Sequence, residues 1–397
     1  MAFTRYLPEF GWNPVVLSAT GCAYEHVDMA SIDVIPAACP VHRALALDAK
    51  RHLGLFGRYP SVLAQPDRWA SWRLAAIGLG WHLLRHYRVQ AIWSTYPIMS
   101  AHCVAHTLHR MSGIPWIADF RDPVATSLTG RSRMTARSLS RWERRVISRA
   151  TCSVFTTSGA MQWCAERHPD IDGDRRLSVI ENGYDEAAFA DLQQPSPPLA
   201  GRPTILVHSG QLYPDGRNPI PFFTALARLH SSGRVNAGNL RVILRASGTE
   251  TVYRREIQRM GLVGVVDLAP PVSGREALVE QAGADGLLLF QGARYDRQIP
   301  AKLYEYMRIG RPIFALVGEH GDTAALLRET GGAELVALDD ADAIEARLSA
   351  FLCALREGSA ARISRNVVAR HSRREGTALL AGLLDRVITP DAMPLRT

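Results

Sequence analysis

The chain has 397 residues, more than one hydrophobic core usually organises, so two domains are expected. A hydrophobic share of 47% beside 21% charged residues describes a soluble globular protein with ample core. The net charge of +8 favours an anionic partner (phosphate groups, a nucleotide, acidic lipid heads or nucleic acid) without choosing among them.

At the start, "AFTRYLPEFGW" lacks the apolar core of a signal peptide, and the longest apolar run, "LAAIGLGWHLL" (74–84), is too short to span a bilayer. The six cysteines show no C-x-x-C pair and no zinc-like spacing, so scattered free thiols in a cytoplasmic protein are expected. Short β-branched or aromatic runs then predict buried strands: "NPVVLSA", "VQAIWSTYP", "IPWIADFRD", "CSVFTTS" and "LSVIENG". Patterned stretches at 67–87, 98–112 and 131–149 separate them as helices, which is the signature of a parallel α/β sheet.

The composition changes at 187–203, where "AAFADLQQPSPPLAGRP" carries four prolines and reads as a linker. Beyond it the alternation restarts with "TILVHSG", "LRVILRASG", "VVDLAP", "DGLLLFQG", "RPIFALVG" and "AELVAL". The expected architecture is two doubly wound α/β domains, at 1–186 and 204–375, with a final helix and tail at 376–397.

In such sheets ligands sit beyond the carboxyl ends of strands, where helix N-termini face anions. Four stretches follow strands in this way. "GQLYPDGRNP" (210–219) offers Gly210 for a tight turn and Arg217 as a cation, although an ordinary loop with a solvated Arg reads the same. "IPAKLYEY" (299–306) places Ile299-Pro300 at a helix start, with Lys302 and Glu305 three residues apart. Only two of the 46 basic residues are lysines, Lys50 and Lys302, which weighs against a generic surface pair here. "ADFRDP" (118–123) sets Asp119, Arg121 and Asp122 at another strand end, where they either bind hydroxyls or close the strand as an ion cluster. "RSRMTARSLSRWERRVISR" (131–149) carries seven arginines against Glu143, a solvated face or a contact for an anionic membrane.

Two further patterns are read as structural. His102, His106 and His109 share a helix face without further ligands, and "DIDGD" (170–174) lacks the spacing of a calcium loop. No G-x-S-x-G, Walker loop or G-x-G-x-x-G occurs.

Together "RYLPEFGWNPVVLSA", "IPWIADFRDP", "VIENGYD", "LVHSGQLYPDGRNP" and "IPAKLYEYMRIGRPI" resemble the family-4 type of glycosyltransferase with the GT-B fold, in order and over nearly the whole chain. The resemblance implies two Rossmann-like domains facing across a cleft, with a nucleotide-sugar donor held mainly by the second. It implies retaining transfer without metal or other cofactor, to a cell-envelope glycan or lipid-linked acceptor, and no nucleic-acid partner. On this resemblance Lys302 contacts the donor diphosphate, Glu305 the ribose, and Gly210 and Arg217 form the first loop. Val266 to Leu268 position the base, and the helix start at Ile299-Pro300 receives the leaving diphosphate. Asp119, Arg121 and Asp122 are the catalytic candidates.

There are departures from the family pattern. Arg297 stands where the family has the first of two glutamates, Gln211 replaces an arginine, and no His falls at an acceptor motif. Family members also open with a strand and Gly-rich loop before the helix that "AFTRYLPEFGW" resembles. The resemblance therefore predicts that Met1 is an internal or misplaced start, or that the gene is degraded. Two other readings stand beside transfer: a catalytically inactive GT-B partner subunit, which Arg297 favours, and a nucleotide-sugar epimerase, for which Asp119 and Asp122 are the available acids.

Overall fold

The structure is a computed structural model that describes residues 2–25, 35–54, 60–128, 130–171, 176–190, 192 and 201–389. Most of the proline-rich stretch 187–203 and residues 172–174 of "DIDGD" lie outside them. The chain divides into two compact units, Met1–Glu181 with Arg373–Thr397, and Asn182–Ser372.

In the first unit α1 (Ala2–Tyr6) leads into β1 (Val16–Ala19), β2 (Val41–Ala44) and the single turn α2 (Ala49–His52). Helix α3 (Trp72–His86), β3 (Ile92–Tyr96), α4 (Met99–Ser112) and β4 (Trp116–Phe120) follow. The unit continues through α5 (Arg133–Arg149), β5 (Cys152–Phe155), α6 (Ser158–Arg167) and β6 (Leu177–Val179). Caps fix two of these helices: Ser132 accepts from the Thr135 amide and Thr157 from the Ala160 amide, each satisfying a first-turn donor.

All pairing is parallel, but the sheet comes in two pieces. Strands β3-β4-β5-β6 form one, and β1-β2 form the other, with Val16 opposite Val41. Helix α3 packs on β1 and β2 and also on α4, which covers β3, so one helical layer serves both pieces. Leu17, Ala44, Tyr96 and Trp116 accordingly share one apolar cluster. Strand β2 was not visible in the sequence, because "VHRA" is four residues long and has no alternation.

The second unit is a single six-stranded parallel sheet in the order β12-β11-β10-β7-β8-β9. Its elements are β7 (Thr204–Ser209), α7 (Ile220–Ser231), β8 (Leu240–Arg245), α8 (Glu250–Arg259), β9 (Val266–Ala269) and α9 (Gly274–Gly283). They continue with β10 (Gly286–Gln291), α10 (Ala301–Ile309), β11 (Ile313–Val317), α11 (Asp322–Thr330), β12 (Ala333–Val336), α12 (Ala341–Glu357) and α13 (Arg365–Ala369). Strands β10 and β11 are buried along their whole length, as expected for strands covered on both faces, which is why they read as unbroken apolar runs. From β7 the chain winds outward to β9, then returns beside β7 as β10 and winds the other way. The place where the direction reverses lies between β7 and β10.

The last helix, α14 (Arg373–Ile388), belongs to the first unit. Its Leu380, Ala381, Leu383 and Leu384 join Phe3, Leu7, Ile117, Val154 and Ile180 in one core cluster. The Phe3 ring meets Trp93 edge-on at 4.9 Å, and Trp12 Nε1 donates to Asp385 at 3.0 Å. Because Leu380 is buried in this cluster, Leu380→Ala is expected to destabilise the first unit by about 2–5 kcal/mol. Urea unfolding followed by tryptophan fluorescence should show an earlier transition for the variant.

Candidate functional site

The strongest concentration of polar groups in the second unit lies where β7 and β10 separate. Those strands pair only at Gly286–Leu206 and Leu287–Val207, whereas β7 and β8 stay in register from Thr204 to Ser209. Past the pairing, side chains take over the backbone's bonds. His208 Nδ1 lies 2.9 Å from the Leu288 carbonyl oxygen, and the Ser209 amide donates to the Tyr306 hydroxyl at 3.2 Å. Both substitutions keep buried peptide groups satisfied while the strands diverge.

Lys302, in the first turn of α10, turns into this space and donates from Nζ to the Ser209 carbonyl oxygen. Gly210 makes the approach possible. Its backbone is left-handed at φ +124, and any Cβ there would collide with the Lys302 ammonium. Burial pulls Lys302 down to about 7, Arg217 adds repulsion, and Glu305 acts the other way. Burial, with the Lys302 charge next, also holds His208 well below its ordinary range, so the ring is neutral.

Several buried polar atoms here make no hydrogen bond: His208 Nε2, Ser209 Oγ, Ser247 Oγ and Arg217 Nε. The neutral His208 ring faces a carbonyl oxygen with Nδ1, so its Nε2 is an acceptor, whereas Ser209 Oγ, Ser247 Oγ and Arg217 Nε carry protons to donate. Orphaned buried donors are costly, and these three together with the Lys302 cation mark a place for a polar anion. Arg217 itself is clamped, its guanidinium carbon 5.3 Å from the Tyr213 ring centre and 5.5 Å from that of Tyr295. The loop before α10 is stapled from below. Gln291 Nε2 donates to the Tyr295 and Gln298 carbonyls at 3.0 and 2.6 Å, and Thr323 donates to Gln298 at 2.9 Å. Pro300 is the N-cap of α10 and supplies no side-chain cap, while its carbonyl accepts from the Leu303 amide at 2.9 Å. Ile299 anchors that start in the core.

The other predicted residues distribute differently. Glu305 is half-buried on α10, one turn beyond Lys302. Val266 is 5% exposed, with its side chain in the core of the sheet, and Leu268 packs against the same core.

In the first unit Asp119 fits the second of its two sequence readings, the ion cluster. It is 1% exposed within β4, accepts from Thr95 at 3.2 Å and lies 3.6 Å from Arg121 Nη1. Burial pushes its carboxyl up to about 6 against the opposing pull of Arg121. Asp119 therefore sits in an ion cluster with Arg121 at the end of the strand. Arg121 is partly exposed, its guanidinium carbon 5.6 Å from the Phe3 ring centre, and Asp122 is exposed.

The helix face of three histidines is structural. His102 Nδ1 meets the Ser94 hydroxyl at 2.7 Å and burial lowers it to about 3, His106 is buried near Trp116 and lowered to about 4, and His109 meets the Ile114 carbonyl. On α5, Arg133, Arg137, Arg141, Arg145 and Arg149 follow one another at helical spacing and make no ion pair among the described residues. With Met134 and Trp142 several of them line a surface hollow of about 760 Å³. No described helix is long and apolar enough to cross a membrane.

No protein-family model and no curated protein matches the chain. Solved structures do. The sucrose-phosphate synthase of Thermosynechococcus elongatus superposes with a TM-score of 0.67 at 12% identity, over 97% of this chain and 91% of that one. A glycosyltransferase from Rickettsia africae gives 0.65 at 12% identity, over 98% and 94%. HepE of Anabaena, in complex with UDP and glucose, gives 0.63 at 15% identity, over 97% and 94%. The fold is GT-B.

Within this GT-B chain the displacement of Lys302 toward its neutral form has a consequence for stability. Its folded value, about 7, lies below the ordinary 10.5, so the penalty of charging it is complete below pH 7 and disappears as pH rises past 10.5. Lys302→Met is expected to be more stable than the parent by roughly 1–3 kcal/mol at pH 6.5 and nearly equal to it above pH 10.5. Urea unfolding at the two pH values checks this.

Proposed function

We propose that the protein is a glycosyltransferase that takes a nucleotide-sugar donor in its second unit and passes the sugar to a hydroxyl acceptor. The observation that carries this reading is the half-buried Lys302 ammonium beside the orphaned Ser209, Ser247 and Arg217 donors where the strand order reverses. A diphosphate supplies the missing acceptors. It can bond Lys302 and Arg217, take the hydroxyls of Ser209 and Ser247, and face the first-turn amides of α10. The complexes of HepE with UDP and UDP-glucose support a nucleotide-sugar in a fold of this kind.

In transfer, the bond from the sugar's anomeric carbon to the diphosphate oxygen breaks and one to the acceptor oxygen forms. The acceptor proton leaves with the diphosphate. Lys302 and Arg217 hold the charge that develops on the leaving group, which is the work otherwise given to a metal, and we assign the reaction no metal. Glu305, one turn along α10, is placed to accept from ribose hydroxyls. Retention at the anomeric carbon and a cell-envelope glycan or lipid-linked acceptor follow from the sequence resemblance. The exposed Asp122 and partly exposed Arg121 are the acceptor-side candidates.

Calorimetric titration with UDP, GDP and ADP tests the reading. One of them should bind, Lys302→Ala should lose at least tenfold in affinity with its fold intact, and failure of all three overturns it. Since the free Lys302 value is about 7 and an anion favours its charged form, binding should weaken as pH rises from 6 to 8. Proton uptake should accompany binding near pH 7.5, read by repeating the titration in buffers of different ionisation enthalpy.

We further propose that the arginine face of α5 rests on an anionic membrane surface, with Met134 and Trp142 as the apolar contacts. The full chain should pellet with vesicles containing anionic lipid and not with neutral ones. Arg137→Glu/Arg141→Glu should abolish pelleting, and pelleting that ignores lipid charge contradicts the assignment.

A further inference from the structure

Away from the groups considered so far, three different donor side chains meet inside the first unit. Glu143 projects from α5, Cys164 from the last turn of α6, and His168 follows at the end of that helix. All three are buried, and one ligating atom from each lies within 4.8 Å of the other two. Cys164 and His168 are four residues apart, so the helical turn ending at Arg167 delivers both to one face. Glu143 comes from the neighbouring helix and closes the triangle.

An ion pair alone does not account for the cluster. Arg167 donates to Glu143 at 2.7 Å, which satisfies the carboxylate. His168 Nε2 lies 3.5 Å from the same oxygen without forming a hydrogen bond, and Nδ1 has no partner either. Both imidazole nitrogens are thus orphaned in a residue only 7% exposed. Buried imidazoles normally place at least one nitrogen in a hydrogen bond, as His102 and His208 do in this same chain.

We propose that Glu143, Cys164 and His168 hold a divalent ion of the zinc class that ties α5 to the end of α6. Thiolate, imidazole and carboxylate are the donors such an ion selects, and softness of the sulfur disfavours magnesium and calcium. With ordinary metal–ligand bonds, neighbouring donors stand roughly 3.3–3.7 Å apart, so the cluster closes by about 1 Å on binding. One carboxylate and one thiolate neutralise the ion, and Arg167 remains on the carboxylate's outer side. Binding exchanges the Cys164 proton for the metal, and that proton passes to solvent. In the metal-free cluster burial pushes the thiol up to about 12, with Glu143 adding to the effect, so Cys164 is protonated until the ion arrives. Three protein donors leave the ion's fourth position to a solvent molecule, and burial of all three donors inside the first unit sets the site apart from the Lys302 region of the second.

The test uses the full chain loaded with Zn2+ and freed of loosely held metal, and a parallel sample loaded with Co2+. One retained ion per chain is expected, with a sulfur-to-cobalt charge-transfer absorption that reports thiolate ligation. Zn2+ should raise the thermal midpoint of the parent. The absorption should vanish in Cys164→Ser and persist in Cys353→Ser, whose thiol is exposed. Absence of stoichiometric metal in the parent, or a charge-transfer band unchanged in Cys164→Ser, overturns the site. Should Cys164→Ser not fold, His168→Ala and Glu143→Gln are read instead, and the parent's own cobalt spectrum still decides. None of these readings depends on whether a nucleotide binds.

Discussion

Strands β7 and β10 pair over two residues and then part, and the second unit is arranged around that parting. In a doubly wound sheet the connections leaving two such strands run to opposite faces, so nothing covers the gap between their ends. Backbone groups exposed there still need partners, and this chain supplies them from side chains: the His208 ring for one strand, the Tyr306 hydroxyl for the other. Those same groups then define the floor of the site. Lys302 is fixed to the Ser209 carbonyl, and its desolvation costs stability. In the proposed function, an anion at this place would offset that cost and satisfy the nearby donors.

The first unit handles buried polarity in the opposite way. Trp116 Nε1 donates to Ser94, whose hydroxyl meets His102, so a tryptophan, a serine and a histidine close on one another inside the core. Asp119 is likewise taken up by Thr95 and Arg121. Such networks rigidify a core and leave little for a ligand. His168 differs from His102 in this unit, since both of its ring nitrogens are left over.

Much of the architecture was legible in the sequence because parallel strands buried on both faces announce themselves as apolar runs. All eleven runs singled out contain an observed strand, whereas β2 escaped because "VHRA" has neither length nor pattern. Lys302 was legible for a different reason: it is one of two lysines in an arginine-rich chain, and it follows a proline at a helix start. The supporting cast was not. His208 looks like a strand residue, Tyr306 like a helix residue and Gln291 like a strand end, and only the divergence of β7 from β10 gives them work. For Asp119 and Val266 the place in the chain was legible but the burial was not: β4 is buried along its whole length, and Val266 enters the core at the start of β9. Glu143, Cys164 and His168 were invisible as a group, since 21 residues separate the first two and the fold alone brings α5 beside α6.

The return of α14 to the first unit also has a consequence in time. Ile117, Val154 and Ile180 belong to a cluster that Leu380, Leu383 and Leu384 complete. Between these two groups of residues the ribosome must make the whole of Asn182–Ser372. At about 5–20 residues per second that takes roughly 10–40 s, during which the early apolar surface has no cover. The later unit, whose own ends meet where the Tyr184 amide donates to the His371 carbonyl at 3.2 Å, can close within that interval. Synthesis order and folding order are therefore inverted: the unit begun first waits for the last helix, and a nascent chain stalled before Arg373 leaves a finished domain attached to an unfinished one.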